Sequence, residues 1–307
     1  MYKVTSRWGH QDSLKVEWNL GKRCNYDCAY CPSSIHDNSS PHTELSILTN
    51  TVDKLVNVNS NLRVSLTGGE PCVHPDISEL LQYIRDSDVD YLSVTTNGTR
   101  KWEFYVDQPV DQYVFSLHFA DGDWNKVLDT IQMVDVTFKV RQSQTLVVHV
   151  MAHHKHMHNV RIAVKFLEDN NIPFVIRRIR WTEGDHDLFD DMKYDQNDLD
   201  WILSKTATSK PNVLVFYSDE RKMEAMHAND IIKLHLNKFN SWTCSAGLES
   251  LMINWDGDVH RATCRVGDSL GNIYNGSFTI PTEPVVCDRN YCTCAADIPL
   301  SKHKGTV

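Results

Sequence analysis

The residues of this sequence best suited to chemistry are its nine cysteines, which are unevenly distributed. Three lie close together as Cys24, Cys28 and Cys31, whereas none occurs between Cys72 and Cys244. The N-terminus lacks the apolar segment of a secretory signal, so metal ligation or reactive thiols are expected before disulfides. The cysteines therefore divide the chain into an N-terminal site, a long cysteine-free body and a C-terminal site.

The first group has the spacing C-x3-C-x2-C, in the segment CNYDCAYC that ends at Cys31. It directly follows an apolar segment that predicts a strand over 14–20. Three thiolates this close along one loop can face one centre. A disulfide joins only two thiols and would leave the third unpaired. Iron-sulfur clusters are ligated by cysteines, and three ligands leave one iron open. The alternatives are three unrelated buried cysteines or a zinc site that His36 completes.

This motif resembles the cluster-binding loop of the radical S-adenosylmethionine (radical SAM) superfamily, which has an aromatic residue, here Tyr30, before the last cysteine. In that family the three cysteines hold a [4Fe-4S] cluster, and the open iron binds the amino and carboxylate groups of S-adenosylmethionine (AdoMet). The resemblance implies that Cys24, Cys28 and Cys31 are cluster ligands and that Tyr30 lies at the cofactor. It also implies reductive cleavage of AdoMet to a 5′-deoxyadenosyl radical, which abstracts a substrate hydrogen.

A second element, the segment TGGEP, resembles the part of that family's site that contacts the methionine amino group of AdoMet. It contains Gly68, Gly69 and Glu70, and it directly follows a predicted strand at 63–67. Glycines allow a backbone to approach a ligand closely, and a carboxylate complements an ammonium group. The resemblance therefore implies that these three residues bind AdoMet.

Polar residues on the next two predicted strands extend the resemblance. Asn97 ends the third strand, where the family often has a polar residue near the cofactor. Ser116, on the fourth strand, is similarly placed for the ribose or carboxylate of AdoMet. His118 lies on the same face as Ser116 because side chains alternate along a strand. The alternative for Ser116 and His118 is ordinary packing within the sheet.

Cys72 directly follows the GGEP element, close to where the radical would form. A thiol at this place could donate a hydrogen atom to a substrate radical, as in radical epimerases. The alternative is a small buried apolar side chain, which is how free cysteines usually behave.

The sixth predicted strand, at 174–181, carries Arg177, Arg178 and Arg180. Alternation along the strand directs some of these side chains inward, where they could bind a carboxylate. Pairing with the acidic segment 183–200 at the surface is the alternative.

Five cysteines form the C-terminal group: Cys244, Cys264, Cys287, Cys292 and Cys294. The apolar segment 251–255 and the turn at 256–257 predict a hairpin that brings Cys244 and Cys264 together. This arrangement resembles the auxiliary-cluster extension of radical SAM enzymes, the SPASM domain or its shorter twitch form. A second, auxiliary [4Fe-4S] cluster with four ligands leaves one cysteine of the five spare, and the sequence does not say which. A zinc site is the alternative.

Alternating strands and helices are predicted to position these residues. Strands are expected at 14–20, 63–67, 91–95, 112–118, 146–151, 174–181 and 213–217, and helices at 76–86, 124–133, 160–168, 196–205 and 219–227. Segment 136–140 fits an extra strand or the start of the fifth. Such alternation favours an α/β fold in which a parallel sheet is open or curled into a partial barrel, with its chemistry at the C-terminal ends of the strands. With the resemblance, the expected fold is a partial (β/α)6 TIM-like barrel. The predicted domains are the barrel at 1–182, a linker with helices at 183–240, and a small hairpin-containing cluster domain at 241–307.

Composition limits the classes of partner. The chain has 31 Lys and Arg against 40 Asp and Glu, a net charge of −9. Phosphate binding needs a positive surface, so nucleic acid is disfavoured. No run of about 18 apolar residues occurs, so no membrane span is predicted and a cytoplasmic location is expected.

The expected function is hydrogen abstraction from a carbon of a small molecule, such as a sugar or an amino-acid-like compound, followed by oxidation, epimerisation or bond formation. The resemblance also implies an electron donor such as flavodoxin or ferredoxin. A peptide-modifying maturase is one alternative, but residues 1–13 leave no room for the leader-binding domain that often precedes the barrel in those enzymes. A non-catalytic iron-sulfur or zinc protein is another alternative, although it would have no need of a GGEP element.

Overall fold

The computed structural model describes residues 1–7, 13–31, 33, 35–179, 194–205, 210–217 and 222–304. Its first strands are β1 (Lys3–Ser6), β2 (Leu14–Asn19), β3 (Leu62–Thr67), β4 (Val89–Thr96), β5 (Gln112–Leu117), β6 (Thr145–Ala152) and β7 (Phe174–Arg178). The later strands are β8 (Val213–Phe216), β9 (Met223–Met226), β10 (Trp242–Cys244), β11 (Ser250–Ile253), β12 (Val259–His260), β13 (Val285–Val286) and β14 (Lys302–Lys304). The helices are α1 (Leu45–Val56), α2 (Ile77–Asp86), α3 (Trp102–Asp107), α4 (Trp124–Arg141), α5 (Met157–Asp169), α6 (Gln196–Ser204) and α7 (Ala228–Lys233).

The larger sheet has the strand order β12-β11-β2-β3-β4-β5-β6-β7. Strands β2 to β7 are parallel and follow chain order, and each is followed by one of the helices α1 to α6. Strands β12 and β7 end this order, so the described strands leave the curved sheet open. The predicted partial (β/α)6 barrel is therefore confirmed.

The alternation of side chains along the strands separates a core from an interior face. In β3, Leu62, Val64 and Leu66 are buried, while the residues between them are half-buried. Strand β5 repeats the pattern, with buried Tyr113 and Phe115 packed beneath the helices. Polar side chains of the opposite face are thereby directed into the barrel interior.

Apolar faces hold the helices against this sheet. Helix α2 buries Ile77, Leu80, Leu81 and Ile84, which recur at helical spacing. Each such side chain contributes roughly 1.5–3 kcal/mol when fully buried. Among the described helices, none combines the length and the apolar character needed to cross a membrane.

The smaller sheet is antiparallel in the order β13-β10-β14-β1-β8-β9. It joins the start of the chain to the segment after the barrel and to the C-terminal cysteines. The predicted C-terminal hairpin is formed by β11 and β12, and β11 also pairs in parallel with β2. The hairpin therefore extends the barrel sheet directly.

Two local predictions were wrong. Segment 136–140 is not a strand but the last part of α4, because Ile131, Val134 and Phe138 form a buried helical face at spacings of three and four. The helix predicted at 219–227 is contradicted by β9, which pairs with β8 in a hairpin. Arg180 and the end of the predicted sixth strand lie outside the described residues.

Candidate active site

The three N-terminal cysteines lie in one loop between β2 and α1. Cys28 is buried, and Cys24 and Cys31 are half-buried. The Cys31 N–H donates to the Cys28 carbonyl over 2.8 Å, and the Tyr26 N–H donates to the Cys24 Sγ over 3.4 Å. Burial raises the pKa of the Cys31 thiol to about 11, and the nearby Cys24 adds to this shift. The loop thus holds the three thiols close enough to influence one another.

His36 supports this loop and is not directed at the thiols. Its Nε2 lies 2.7 Å from the Tyr26 carbonyl oxygen, a hydrogen bond that turns the ring toward the backbone. Within the described ranges, no three Cys, His, Asp or Glu side chains are close enough to hold one metal ion. The donors that the loop offers are thiols, the ligand type of an iron-sulfur cluster.

Backbone contacts fasten the GGEP element to the start of the cysteine loop. The Gly69 N–H donates to the Gly21 carbonyl, and the Glu70 N–H donates to the Arg23 carbonyl, each over 2.9 Å. Gly68 has a φ of +127°, and a Cβ there would lie 2.6 Å from the Gly21 oxygen. The glycines are therefore needed for packing between the two loops. The resemblance of this segment to an AdoMet-binding element did not indicate that role.

The Glu70 carboxylate is buried and joins the GGEP element to the end of β4. It accepts hydrogen bonds from the Cys72 N–H over 2.9 Å, the Thr96 hydroxyl over 2.8 Å and the Asn97 N–H over 2.5 Å. Burial raises the pKa of Glu70, and these three donors oppose that rise. The carboxylate thus has a structural role, and its contact with an AdoMet ammonium group stays a prediction.

Asn97 stands beside the cysteine loop, as its predicted role requires. Its Nδ2 donates to the Asn25 Oδ1 over 2.7 Å and lies 4.0 Å from the Cys24 Sγ. Its Oδ1 accepts from the Thr99 hydroxyl over 2.8 Å. The end of β4 is therefore tied to the first cysteine through side-chain amides.

His118 connects the cysteine loop to the barrel interior. Its Nδ1 lies 2.5 Å from the Tyr30 hydroxyl and 3.6 Å from the Cys28 Sγ. Burial lowers the pKa of His118 to about 4, so the imidazole is neutral at pH 7. The alternation along β5 had indicated this orientation. Tyr30 is close to the thiols, and its hydroxyl is engaged by His118.

Ser116, two residues before His118, lines a cavity of about 420 Å³. The cavity is lined by residues of β5, β6 and β7, by α6 with Lys205 and by α7, and by Thr263 and residues 293–295. His149 of β6 also lines it, next to Ser116 in the strand register. No motif or pattern in the sequence pointed to His149.

Cys72 does not reach this cavity. Its side chain is 1% exposed and belongs to the hydrophobic core. Burial raises the pKa of the Cys72 thiol well above its ordinary value. This placement favours the small buried apolar side chain over the hydrogen donor, whose role stays a prediction.

The C-terminal cysteines divide into four and one. Four of them line a small cavity of about 20 Å³: Cys244, Cys264, Cys287 and Cys292. Cys294 instead lines the large cavity beside β7. Burial raises the pKa of the Cys292 thiol and the nearby Cys294 adds to this rise, so the five cysteines differ in the cavity that each one lines rather than in being far apart.

A buried lysine stands at the four-cysteine cavity. Lys302 is 2% exposed, and its Nζ donates to the Asp297 carbonyl over 2.8 Å and to the Ile298 carbonyl over 3.2 Å. Burial acts to lower the pKa of Lys302, but Cys292, the other thiols and the Asp297 carboxylate raise it overall. No motif of the sequence includes this lysine.

Comparison with known proteins gives a family match for part of the barrel. Residues 18–144, less than half of the chain, match the model of the Radical SAM superfamily. This segment is similar to that superfamily. The matched segment contains the cysteine loop, the GGEP element, Asn97 and Ser116, whereas the C-terminal cysteines of the chain lie outside it.

Curated relatives of the chain include proteins named GTP 3′,8-cyclase. The probable GTP 3′,8-cyclase of Pyrococcus abyssi is 32% identical over 127 residues, which are 39% of this chain and 40% of that protein. The enzyme of Syntrophomonas wolfei is 37% identical over 86 residues, 26% of each chain. The chain therefore spans about two fifths or less of the length of these relatives.

Solved structures share the fold over most of the chain. A structure described as native anSMEcpe with bound AdoMet has a TM-score of 0.53 and 16% identity, and the match covers 86% of this chain and 79% of that one. Streptococcus suis SuiB bound to precursor peptide SuiA has a TM-score of 0.55 and 14% identity, with 87% and 64% covered. At these identities the likeness establishes the partial barrel and nothing about substrate.

Proposed function

We propose that this protein is a radical SAM enzyme that abstracts a hydrogen atom from a carbon of a small molecule bound in the large cavity. The observation that carries the proposal is the position of β5. Ser116 of this strand lines the cavity, and His118, the residue after its end, lies with its Nδ1 3.6 Å from the Cys28 Sγ. A radical formed at the cysteine loop would therefore arise at the edge of a substrate-sized cavity.

For the cofactor we propose the residues that the family resemblance implies. Cys24, Cys28 and Cys31 would hold the [4Fe-4S] cluster, and the open iron would bind AdoMet. When bound and reduced by a donor such as flavodoxin or ferredoxin, this pair supplies a 5′-deoxyadenosyl radical. The residues proposed to bind AdoMet are Tyr30, Gly68, Gly69, Glu70, Asn97 and Ser116.

The cavity size favours a small-molecule substrate over a peptide. A volume of about 420 Å³ lies within the range of roughly 300–1,000 Å³ that is typical of small-molecule sites. The relatives named GTP 3′,8-cyclase also take a small molecule, by their names. Mass spectrometry after reaction in deuterated water distinguishes epimerisation from oxidation. A thiol-assisted epimerisation takes up solvent deuterium into the product, and an oxidation does not.

We expect Cys28→Ala to abolish reductive formation of 5′-deoxyadenosine from AdoMet, because two cysteines cannot retain the site-differentiated cluster. The protein is reconstituted anaerobically and reduced with dithionite in the presence of AdoMet. Chromatography of the reaction mixture then measures 5′-deoxyadenosine. Cys72→Ala is the matched control, since Cys72 lies in the core and should leave 5′-deoxyadenosine formation in place. Undiminished product from Cys28→Ala would refute the enzymatic proposal and favour a non-catalytic metal protein.

For the C-terminal site we propose an auxiliary [4Fe-4S] cluster, as in a twitch-like domain. Its ligands would be Cys244, Cys264, Cys287 and Cys292, which surround one cavity. Four thiols at the foot of a hairpin also suit zinc, so the metal itself must be measured.

Iron analysis tests this ligand assignment. The wild-type protein should contain about eight irons per chain after anaerobic reconstitution, the sum of two cubane clusters. Cys294→Ala should keep about eight, whereas Cys292→Ala should fall to about four. Iron loss from Cys294→Ala, or bound zinc with about four irons in the wild type, would contradict the assignment.

A further inference from the structure

His149 is a polar side chain of the barrel interior that has no role in the proposed cofactor sites. It lies on β6 and is half-buried, whereas Val148 and Val150 on either side of it are fully buried in the core. It pairs in register with Ser116 of β5, and both residues line the large cavity. Because Ser116 is proposed to bind AdoMet, a ligand group that bonds to His149 would lie beside the cofactor.

The imidazole of His149 makes no hydrogen bond to any residue that the structure describes. In this it differs from His118, whose Nδ1 lies 2.5 Å from the Tyr30 hydroxyl. It also differs from His36, whose Nε2 lies 2.7 Å from the Tyr26 carbonyl oxygen. The two ring nitrogens of His149 are therefore left for a molecule in the cavity.

The charge state of His149 limits which ligand groups it suits. Burial lowers the pKa of His149 well below its ordinary value, and Arg177 and His227 lower it further, so the imidazole is neutral at pH 7. A neutral imidazole has one N–H donor and one lone-pair acceptor, whereas a carboxylate only accepts and an ammonium group only donates. A hydroxyl group does both, so it can bond to either nitrogen in either tautomer.

Thr263 presents a second neutral group to the same cavity. Its hydroxyl oxygen is buried and has no hydrogen-bond partner within the described part of the chain. Buried hydroxyl groups in folded proteins normally have a partner, because an unmade hydrogen bond is costly. A threonine hydroxyl also both donates and accepts, so a ligand hydroxyl suits it as well.

Three of the charged side chains at the cavity have partners within the protein. The Lys205 Nζ pairs with the Glu168 carboxylate over 2.6 Å, and the Lys233 Nζ donates to the Lys205 carbonyl over 3.4 Å. The Arg177 Nη1 donates to the Asn229 Oδ1 over 2.5 Å. His149 and Thr263 differ from these side chains in being neutral and in having both ligand-facing functions, donor and acceptor.

We propose that the substrate is a hydroxylated compound, a sugar or another polyol, whose hydroxyl groups bond to His149 and Thr263 in the large cavity. Because this assignment takes the large cavity as the substrate site, it rests on the proposed function. It narrows the substrate class, since an amino-acid-like compound presents an ammonium group and a carboxylate where the cavity offers paired donors and acceptors.

Isothermal titration calorimetry of the anaerobically reconstituted full chain tests this assignment with three probes. The probes are myo-inositol, succinate and 1,4-diaminobutane, whose polar groups are only hydroxyl, carboxylate and ammonium, respectively. The wild type should bind myo-inositol most tightly. His149→Phe keeps a ring but loses both hydrogen-bonding groups, so it should weaken myo-inositol binding roughly tenfold, and Thr263→Val should weaken it about threefold.

Two further variants separate hydrogen bonding from an effect on folding. His149→Gln retains one donor group and one acceptor, so it should bind myo-inositol within about threefold of the wild-type affinity. His158→Phe is the control, because His158 is exposed on α5 and does not line the cavity. It should bind all three probes as the wild type does.

Three results would overturn the polyol site. The first is equal affinity of the wild type, His149→Phe and Thr263→Val for myo-inositol. The second is absence of myo-inositol binding by the wild type, or weaker binding than that of succinate or 1,4-diaminobutane. The third is displacement of bound myo-inositol by AdoMet, which would assign His149 to the cofactor ribose. Probe binding needs no radical chemistry, so it can succeed where 5′-deoxyadenosine formation fails, and the two proposals fail separately.

Discussion

Gly69→Ala is expected to displace the cysteine loop and to remove iron from the N-terminal site. A Cβ at this position would come within 3.0 Å of the Arg23 and Lys22 carbonyl oxygens, closer than real Cβ atoms approach. Both obstacles are backbone, so neither can rotate away as a side chain does. Such overpacking typically destabilises the folded protein by about 1–3 kcal/mol. Here it would distort the hydrogen bonds that hold the cysteine loop.

Gly21→Ala is the matched control for this variant. Gly21 lies across the same contact and accepts the Gly69 N–H through its carbonyl, yet a Cβ there meets nothing within 4 Å. Iron analysis after reconstitution and thermal unfolding followed by circular dichroism measure both variants. We expect Gly69→Ala to lose about four irons per chain and Gly21→Ala to keep them. Full iron content in Gly69→Ala would mean that the loop tolerates the added methyl group.

The contrast between Gly21 and Gly69 illustrates how far the sequence predicted the site. Residue type and spacing were enough to identify the cysteine loop and the GGEP element, because both are local patterns. The contact between them depends on the pairing of β2 with β3, which fixes which carbonyl each glycine meets. No local pattern contains that information, so the second role of Gly69 required the structure.

The same difference between local patterns and contacts of distant segments applies to the prediction of the fold. Strands β3 and β5 were predicted within a residue because buried and half-buried side chains alternate along them. Strands β1 and β14 were not predicted, because each is short and is stabilised by pairing with a segment far away in the chain. Strand β9 was assigned to a helix for a related reason, since three of its four residues are exposed and only its pairing with β8 defines it.

The C-terminal site shows the limit most clearly. Five cysteines could be counted, but their division into four and one depends on which cavity each faces. Cys292 and Cys294 are only two residues apart and still face different cavities. The same tertiary packing brings Lys302 of β14 to the thiols.

Lys302→Met is expected to lower the reduction potential of the proposed auxiliary cluster on the order of 100 mV, or about 2 kcal/mol for one electron. The side chain is 2% exposed and stands among the thiols of Cys244, Cys264 and Cys292. Reduction adds negative charge to a site that four thiolates already make negative. Removing a buried cation at that site therefore disfavours the reduced form, since net charge and burial set such potentials.

The metal-free protein reports the structural part of this role. Without metal, burial raises the pKa values of the Cys264 and Cys292 thiols and keeps them neutral. The Lys302 ammonium group still attracts the buried Asp297 carboxylate and donates to the Asp297 and Ile298 carbonyl groups, and its removal leaves these buried groups without that partner. We therefore expect metal-free Lys302→Met to unfold at a lower temperature than the wild type, while the loaded variant also shows the lowered potential. Lys304→Met is the control, because Lys304 lies on the same strand but is exposed. Redox titration followed by electron paramagnetic resonance gives the potential, and an unchanged value in Lys302→Met would show that this lysine has no electrostatic effect on the site.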